Sequence, residues 1–122
     1  MSDAEFDAAV REAVATIPAK FRRLLEGVAI EVEPLPTRSL CAELEVDDPA
    51  ELLGAYLGTP LTERSVEDGP AAPDRVVLFK RNLQSMCESR TELIEEIRIT
   101  VLHEIGHHFG LDEDELEEFG YG

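Results

Sequence analysis

The sequence predicts an α+β fold in which a small mixed sheet packs against an N-terminal helix and a C-terminal helix. Apolar residues recur at helical spacing near both ends of the chain, and short runs typical of strands lie between them. Elements that each carry one apolar face bury those faces against one another, which gives a layered arrangement. The 122 residues have the size of one domain, and we assign residues 1–122 to it.

The first predicted helix lies at the N-terminus. Ser2 and Glu5 have the spacing of a capping box, which marks the start of a helix. The apolar residues that follow share the helical period; they are Phe6, Ala9, Val10, Ala13, Val14 and Ile17. Pro18 ends this pattern and can begin a second short helix. Gly27 is expected to stop that second helix after Leu25.

The middle of the chain contains three predicted strands. Residues 28–33 alternate apolar and polar side chains, which indicates a strand with one buried face. Residues 52–57 are apolar, and residues 76–79 are rich in β-branched side chains, so both are predicted strands. We expect a loop over residues 33–49, which are acidic and contain proline. Residues 67–73 carry one glycine and two prolines and are expected to form an exposed connection.

The last predicted helix carries the histidines of the chain. Ser89 and Glu92 form another capping box, so the helix should begin near Arg90, and Gly110 is a natural C-terminal stop. Apolar residues at helical spacing form a core stripe, namely Ile94, Ile97, Val101 and Ile105. A second face is predicted to line a site and contains Glu96, Thr100, His103 and His107.

Within this helix the chain reads H-E-x-x-H, from His103 through Glu104 to His107. Residues four apart lie about one turn apart on one helix face, so the two imidazoles can bind one metal ion. Histidine nitrogen is a common zinc ligand, and the intervening glutamate can reach a metal-activated water as a general base. The competing interpretation is an amphipathic surface helix with incidental histidines. All three histidines of the chain lie in this segment, which favours the metal site.

A catalytic zinc site needs a third protein ligand, with water in the fourth position. His108 points about 100° away from His107 on the same helix, so a carboxylate from the tail or from upstream is expected instead. Glu113 completes the string H-E-x-x-H-x-x-G-x-x-E and is our first choice, with Asp112 as the second. The alternative to a ligand role is that either acid lies on the solvated face of an acidic terminal helix.

The C-terminal segment HEIGHHFGLDE, residues 103–113, resembles the small bacterial zincin-like metallopeptidases, also called minimal zincins. The following residues Leu116, Phe119, Gly120 and Tyr121 fit the same family. Segments 52–58, 60–64 and 73–81 are also similar, so the resemblance runs from about Phe6 onward.

The resemblance implies a zincin-like α+β fold, with His103 and His107 as zinc ligands and Glu104 as the base. It also implies an acidic third ligand at Glu113, where many relatives have aspartate. By the same resemblance, strand 76–79 is expected to lie beside the cleft and to offer its edge to an extended peptide, as in β-augmentation. The competing interpretation is that this strand belongs to the core.

Composition limits the partners of the protein. Twenty-seven acidic residues against eleven basic ones give a formal charge of −16, which argues against nucleic acid or an anionic membrane as partner. No export signal and no apolar run of membrane length are found, so we expect the cytoplasm. Cys41 and Cys87 are then expected to be reduced thiols. Peptides or unfolded proteins are the expected substrates, and a monomer is the favoured state.

These observations predict a zinc metallopeptidase in which Glu104 takes the proton of the attacking water. Tyr56, Tyr121 and Arg64 are candidates for stabilising the oxyanion. The alternative is a zincin-like metal-binding or regulatory module with weak or no turnover. The short chain leaves little room for substrate pockets, which favours that alternative. The presence of Glu104 argues against it, because a structural metal site needs no base.

Overall fold

The computed structural model describes residues 1–58 and 74–110, which contain five helices and three strands. In chain order these elements are α1 (Asp3–Ala15), α2 (Ala19–Arg22), β1 (Ala29–Glu33), α3 (Arg38–Glu43), β2 (Gly54–Leu57), β3 (Arg75–Phe79), α4 (Lys80–Ser85) and α5 (Arg90–Phe109). Short 3-10 turns at Arg23–Leu25 and Pro49–Glu51 complete them. The predicted connection at residues 67–73 lies outside the described residues.

The predicted helix boundaries are confirmed where a capping residue marks them. The Ser2 side chain accepts a hydrogen bond from the Glu5 N–H at 3.1 Å, and α1 begins at Asp3. The Ser89 side chain accepts one from the Glu92 N–H at 3.1 Å at the start of α5. Gly110 ends α5 in the left-handed region, with φ 69°. These caps satisfy backbone groups that have no partner within a helix.

The sheet is mixed, as predicted, with the strand order β1-β3-β2. Strand β1 runs parallel to β3, with Ala29 opposite Arg75. Strand β2 runs antiparallel to β3, with Gly54 opposite Leu78. Because β3 is paired on both sides, the prediction that residues 76–79 offer a strand edge to a peptide is wrong. In the described sheet, β2 is the edge strand that contacts α5.

Helices α1 and α5 pack together on one face of the sheet and form the main core. The fully buried side chains of this core include Phe6, Ala13, Val76, Leu78, Ile97, Val101 and Ile105. A smaller apolar cluster lies on the other face, where Leu40 of α3 packs against Val77 and Phe79. The α+β arrangement predicted from the apolar periodicity is therefore confirmed.

The expectation of a loop over residues 33–49 is wrong, because helix α3 lies within it. Thr37 caps this helix by accepting a hydrogen bond from the Leu40 N–H at 3.1 Å. Cys41 is the buried residue of this helix. A six-residue helix offers less than two turns of periodicity. The prediction rested on the acidic composition and the proline content of this stretch and took no account of the cap at Thr37.

Helix α4 follows β3 directly and was missed because its sequence is mostly polar. Its Asn82 is nevertheless buried, with 4% of its surface exposed. The Asn82 amide donates hydrogen bonds to the carbonyl of Pro49 at 2.7 Å and to that of Leu52 at 2.8 Å. Both acceptors lie just before β2. Asn82 thereby fixes the entry of the chain into the edge strand.

Gly54 allows β2 to lie directly against α5. A Cβ atom at this position would lie 2.8 Å from Thr100 Cγ2 and 3.1 Å from the carbonyl oxygen of Val77. Thr100, predicted to line a site, is instead buried under β2 with 7% of its surface exposed. The strand can approach the helix this closely because residue 54 has no side chain.

We expect Gly54→Ala to destabilise the protein by about 1–3 kcal/mol, the usual cost of overpacking. The midpoint of urea unfolding measures this change. The double variant Gly54→Ala/Thr100→Ser removes the contacting methyl group and should recover part of the loss. An unchanged midpoint in Gly54→Ala would contradict the close approach of the strand to the helix.

Candidate metal and catalytic site

His103 and His107 lie one turn apart near the C-terminal end of α5. Ile105, between them, is fully buried in the core. Each histidine is two positions from Ile105, or about 200° around the helix axis, so both project away from the core. His103 is half-buried and His107 is exposed. The helix therefore places both histidines on one side.

Glu104 lies between the two histidines and contacts the edge strand. Its Oε2 accepts a hydrogen bond from the Tyr56 backbone N–H at 3.2 Å. Burial raises the pKa of the Glu104 carboxyl above its usual range, while the Tyr56 N–H, His107 and His103 partly offset that rise. A carboxylate with a raised pKa is better matched to proton transfer near neutral pH. An environment of this kind suits a carboxylate that exchanges protons.

The side chain of Tyr56 belongs to a cluster that the sequence did not predict. Its hydroxyl donates a hydrogen bond to Asp74 Oδ2 at 2.9 Å. Its ring stacks on His108, with the ring centroids 3.8 Å apart and the planes inclined by 13°. To stabilise an oxyanion, the Tyr56 hydroxyl would have to leave Asp74. Asp74 follows Pro73 in one of the segments similar to the family, but that pattern gives no contact with Tyr56.

The predicted third ligands, Glu113 and Asp112, lie outside the described residues, as do Tyr121 and Arg64. Among residues 1–58 and 74–110, no group of three or more His, Cys, Asp or Glu side chains is arranged to hold a metal ion. The described part of the site thus supplies two imidazoles, a donor type that suits zinc. Glu113 and its alternative Asp112 stay predictions.

The two cysteines take no part in this site. Cys41 is buried, Cys87 is half-buried, and both are free thiols, as predicted. Burial raises the pKa of the Cys87 thiol, and the nearby charges of Glu96 and Glu92 raise it further. A thiol that stays protonated is a poor nucleophile. This environment argues against a catalytic role for Cys87.

Among the described helices, none has both the length and the apolar character needed to cross a membrane. Helix α5 is the longest at 20 residues, but its sequence includes the charged side chains of Arg90, Glu92 and Arg98.

Comparison with known proteins shows the family and the fold of the chain. No functionally curated protein matches the chain significantly. A solved structure, described as a conserved hypothetical protein from Thermus thermophilus, superposes with a TM-score of 0.56 over 89% of this chain and 94% of its own. The two sequences are 24% identical, so this likeness shows the fold alone. The zincin-like metallopeptidase family matches residues 25–121, which include β1, β2, β3 and all of α5. Since that match covers most of the chain and contains the H-E-x-x-H helix, the chain belongs to the zincin-like metallopeptidase family.

Proposed function

We propose that the protein is a zinc-dependent peptidase that hydrolyses peptide bonds with Glu104 as general base. The observation that carries this proposal is the position of the Glu104 carboxylate. Glu104 stands between two histidines in the sequence of one helix, and its carboxylate is held by a backbone N–H of the edge strand. A metal site that only stabilises a fold needs no oriented carboxylate of this kind. The family membership of the chain supports the same class of reaction.

His103 and His107 are the residues that would hold the zinc ion, and Glu113 is the third ligand we propose, with Asp112 as the alternative. Imidazole nitrogen and carboxylate oxygen both bind zinc at about 2.0–2.2 Å. When bound, zinc lowers the pKa of a coordinated water and polarises the scissile carbonyl.

Glu104 would move the proton. The Tyr56 N–H binds Oε2, and we assign Oε1 to take a proton from the attacking water. The same oxygen would then deliver that proton to the leaving amine. The raised pKa of the carboxyl suits both steps, because a stronger base accepts the proton more readily and its acid form still donates it. Glu104 thus acts first as base and then as acid.

Strand β2 is the element we propose for binding an extended peptide. It is the edge strand beside α5 in the described sheet, and it runs antiparallel to β3. Phe79 N donates to the carbonyl of Leu53, so the backbone groups of Gly54 and Tyr56 are directed away from β3. The Tyr56 N–H is taken by Glu104, so a substrate would pair with the Tyr56 carbonyl and the backbone groups of Gly54 and would pass close to that carboxylate.

A digest of a peptide library with zinc-loaded protein tests the proposal, with Glu104→Gln as the blank. We expect slow cleavage of extended peptides and little attack on folded proteins. Basic peptides should be cut faster than acidic ones, because the protein carries a formal charge of −16. Added salt should reduce this preference by screening the charges. If confirmed zinc loading gives no cleavage above the blank, the chain is instead a metal-binding module without turnover.

A further inference from the structure

The side chains of Tyr56, Asp74 and His108 form a cluster in which each lies near the other two. The hydroxyl of Tyr56 donates to Asp74 Oδ2 at 2.9 Å. The Tyr56 ring stacks on the His108 imidazole at a centroid distance of 3.8 Å. Nε2 of His108 lies 3.9 Å from the same Asp74 oxygen. The reaction proposed above uses none of these three side chains directly.

The cluster joins three separate elements of the fold. Tyr56 belongs to β2, Asp74 immediately precedes β3, and His108 lies in the last turn of α5. Asp74 is itself held in place, because its carbonyl accepts a hydrogen bond from Ala29 N at 3.0 Å. Phe109 packs edge-on against the rings of Tyr56 and His108. The cluster therefore fixes the edge strand to the end of the helix that carries Glu104.

Two glycines, each two residues from Tyr56, make these contacts sterically feasible. Gly54 lets β2 approach Thr100 of α5. Gly58 makes room for Asp74, since a Cβ atom there would lie 2.8 Å from Asp74 Cγ. In the extended chain, residues 54, 56 and 58 share one face. The pattern Gly-Ala-Tyr-Leu-Gly thus combines one aromatic anchor with space on both sides of it.

We propose that Tyr56, Asp74 and His108 are positioning residues that act through Glu104, an inference that rests on the proposed function. By fixing the Tyr56 side chain, the cluster sets the position of the Tyr56 backbone N–H. That N–H holds Oε2 of Glu104 at 3.2 Å. The orientation of the carboxylate, and therefore of Oε1 towards the attacking water, then depends on side chains that do not themselves carry the proton.

Four variants test this role by kinetics in folded, zinc-loaded protein. Tyr56→Phe keeps the ring contact and loses the hydrogen bond, Asp74→Ala removes the acceptor, and Gly58→Ala displaces it without changing any polar group. These three variants should each lower kcat about tenfold or more while KM changes less than about twofold, because misplaced catalytic groups mainly raise the barrier. Asp74→Asn keeps an oxygen that accepts the hydroxyl proton and should recover most of the activity.

Glu12→Gln is the matched control for stability effects. Glu12 Oε2 pairs with Arg90 Nη2 at 2.6 Å near the other end of α5, so the change weakens an exposed contact of the same helix. This variant should keep kcat. An unchanged kcat in both Tyr56→Phe and Asp74→Ala would overturn the proposal, because a cluster that only stabilises the fold lowers the melting temperature without lowering kcat.

A second measurement separates this inference from the peptidase proposal. Hydrogen exchange of the Tyr56 amide reports its hydrogen bond to Glu104 whether or not the protein turns over. We expect this amide to exchange about tenfold faster in Asp74→Ala and Tyr56→Phe than in the wild type, as a weakened hydrogen bond permits. Equal exchange rates would overturn the positioning role. If the amide exchanges faster in these variants but the wild type cleaves no peptide, the positioning role is supported and the peptidase proposal is contradicted.

Discussion

Replacing His103 or His107 by alanine is expected to abolish stoichiometric zinc binding. The two imidazoles project from one side of α5, and the remaining described residues offer no group of three ligands that could replace them. Loss of one of three protein ligands removes much of the affinity of such a site. Elemental analysis of purified protein should show about one zinc per wild-type chain and well under one for either variant.

His108→Phe is the matched control for this experiment, because it removes the neighbouring histidine and keeps an aromatic ring against Tyr56. His108 stacks on Tyr56 and lies near Asp74, so this variant should retain a full equivalent of zinc. A full equivalent in His103→Ala or His107→Ala would contradict the ligand assignment.

Zinc bound by the native state alone should also stabilise the fold. At a free zinc concentration of one hundred times Kd, the gain is about 2.7 kcal/mol by mass action. Chelation should therefore lower the melting temperature of the wild type and leave that of His103→Ala unchanged. Equal responses of the two proteins to the chelator would contradict binding through His103.

Glu104→Gln is expected to keep zinc and to lower the rate of hydrolysis about 10²–10⁴-fold, the usual contribution of general acid–base catalysis. The amide oxygen of glutamine can still accept the Tyr56 N–H, so the strand contact and the fold should persist. It cannot take the proton of the attacking water at neutral pH. Rates measured at equal zinc content separate this loss from loss of metal. A rate near that of the wild type would exclude Glu104 as the base.

The same variant should change the pH dependence of stability in the zinc-free protein. Burial raises the pKa of the Glu104 carboxyl. Its contribution to stability is therefore fully present below the ordinary pKa of glutamate and is lost as pH rises through the folded pKa. Glutamine does not ionise, so Glu104→Gln should melt at a higher temperature near neutral pH, and the difference should vanish in acid. Thermal melts across this range, with chelator present, measure the effect.

The sequence predicted the parts of the fold that depend on local chemistry. Ser2 and Ser89 cap helices as their spacing indicated, and Gly110 adopts the left-handed conformation expected of a helix stop. Strand order is different in kind, because it depends on contacts between distant segments. The continuous apolar run at residues 76–79 was a signal of a central strand that is buried on both faces. The predicted edge role for that run was therefore wrong.

The candidate site also combines a relation that local sequence predicts with contacts between distant segments that it does not predict. The relation of His103, Glu104 and His107 follows from helical spacing and could be predicted. The hydrogen bond from Tyr56 to Glu104 spans 48 positions, and no local pattern indicates it. The contact between Tyr56 and Asp74 spans 18 positions. The glycines on either side of Tyr56 were visible in the sequence, but their role became clear only from the close approach of Thr100 and Asp74.

The central claim is that one zinc ion and Glu104 together hydrolyse peptides, and a zinc titration of the cleavage rate tests it most directly. Metal-free wild type and metal-free Glu104→Gln are each titrated with zinc while cleavage of a peptide selected from the library is followed. The wild-type rate should rise and level off at about one equivalent per chain, and the variant should stay at background with the same zinc bound. A rate that does not depend on zinc, or that rises equally in both proteins, would contradict the claim.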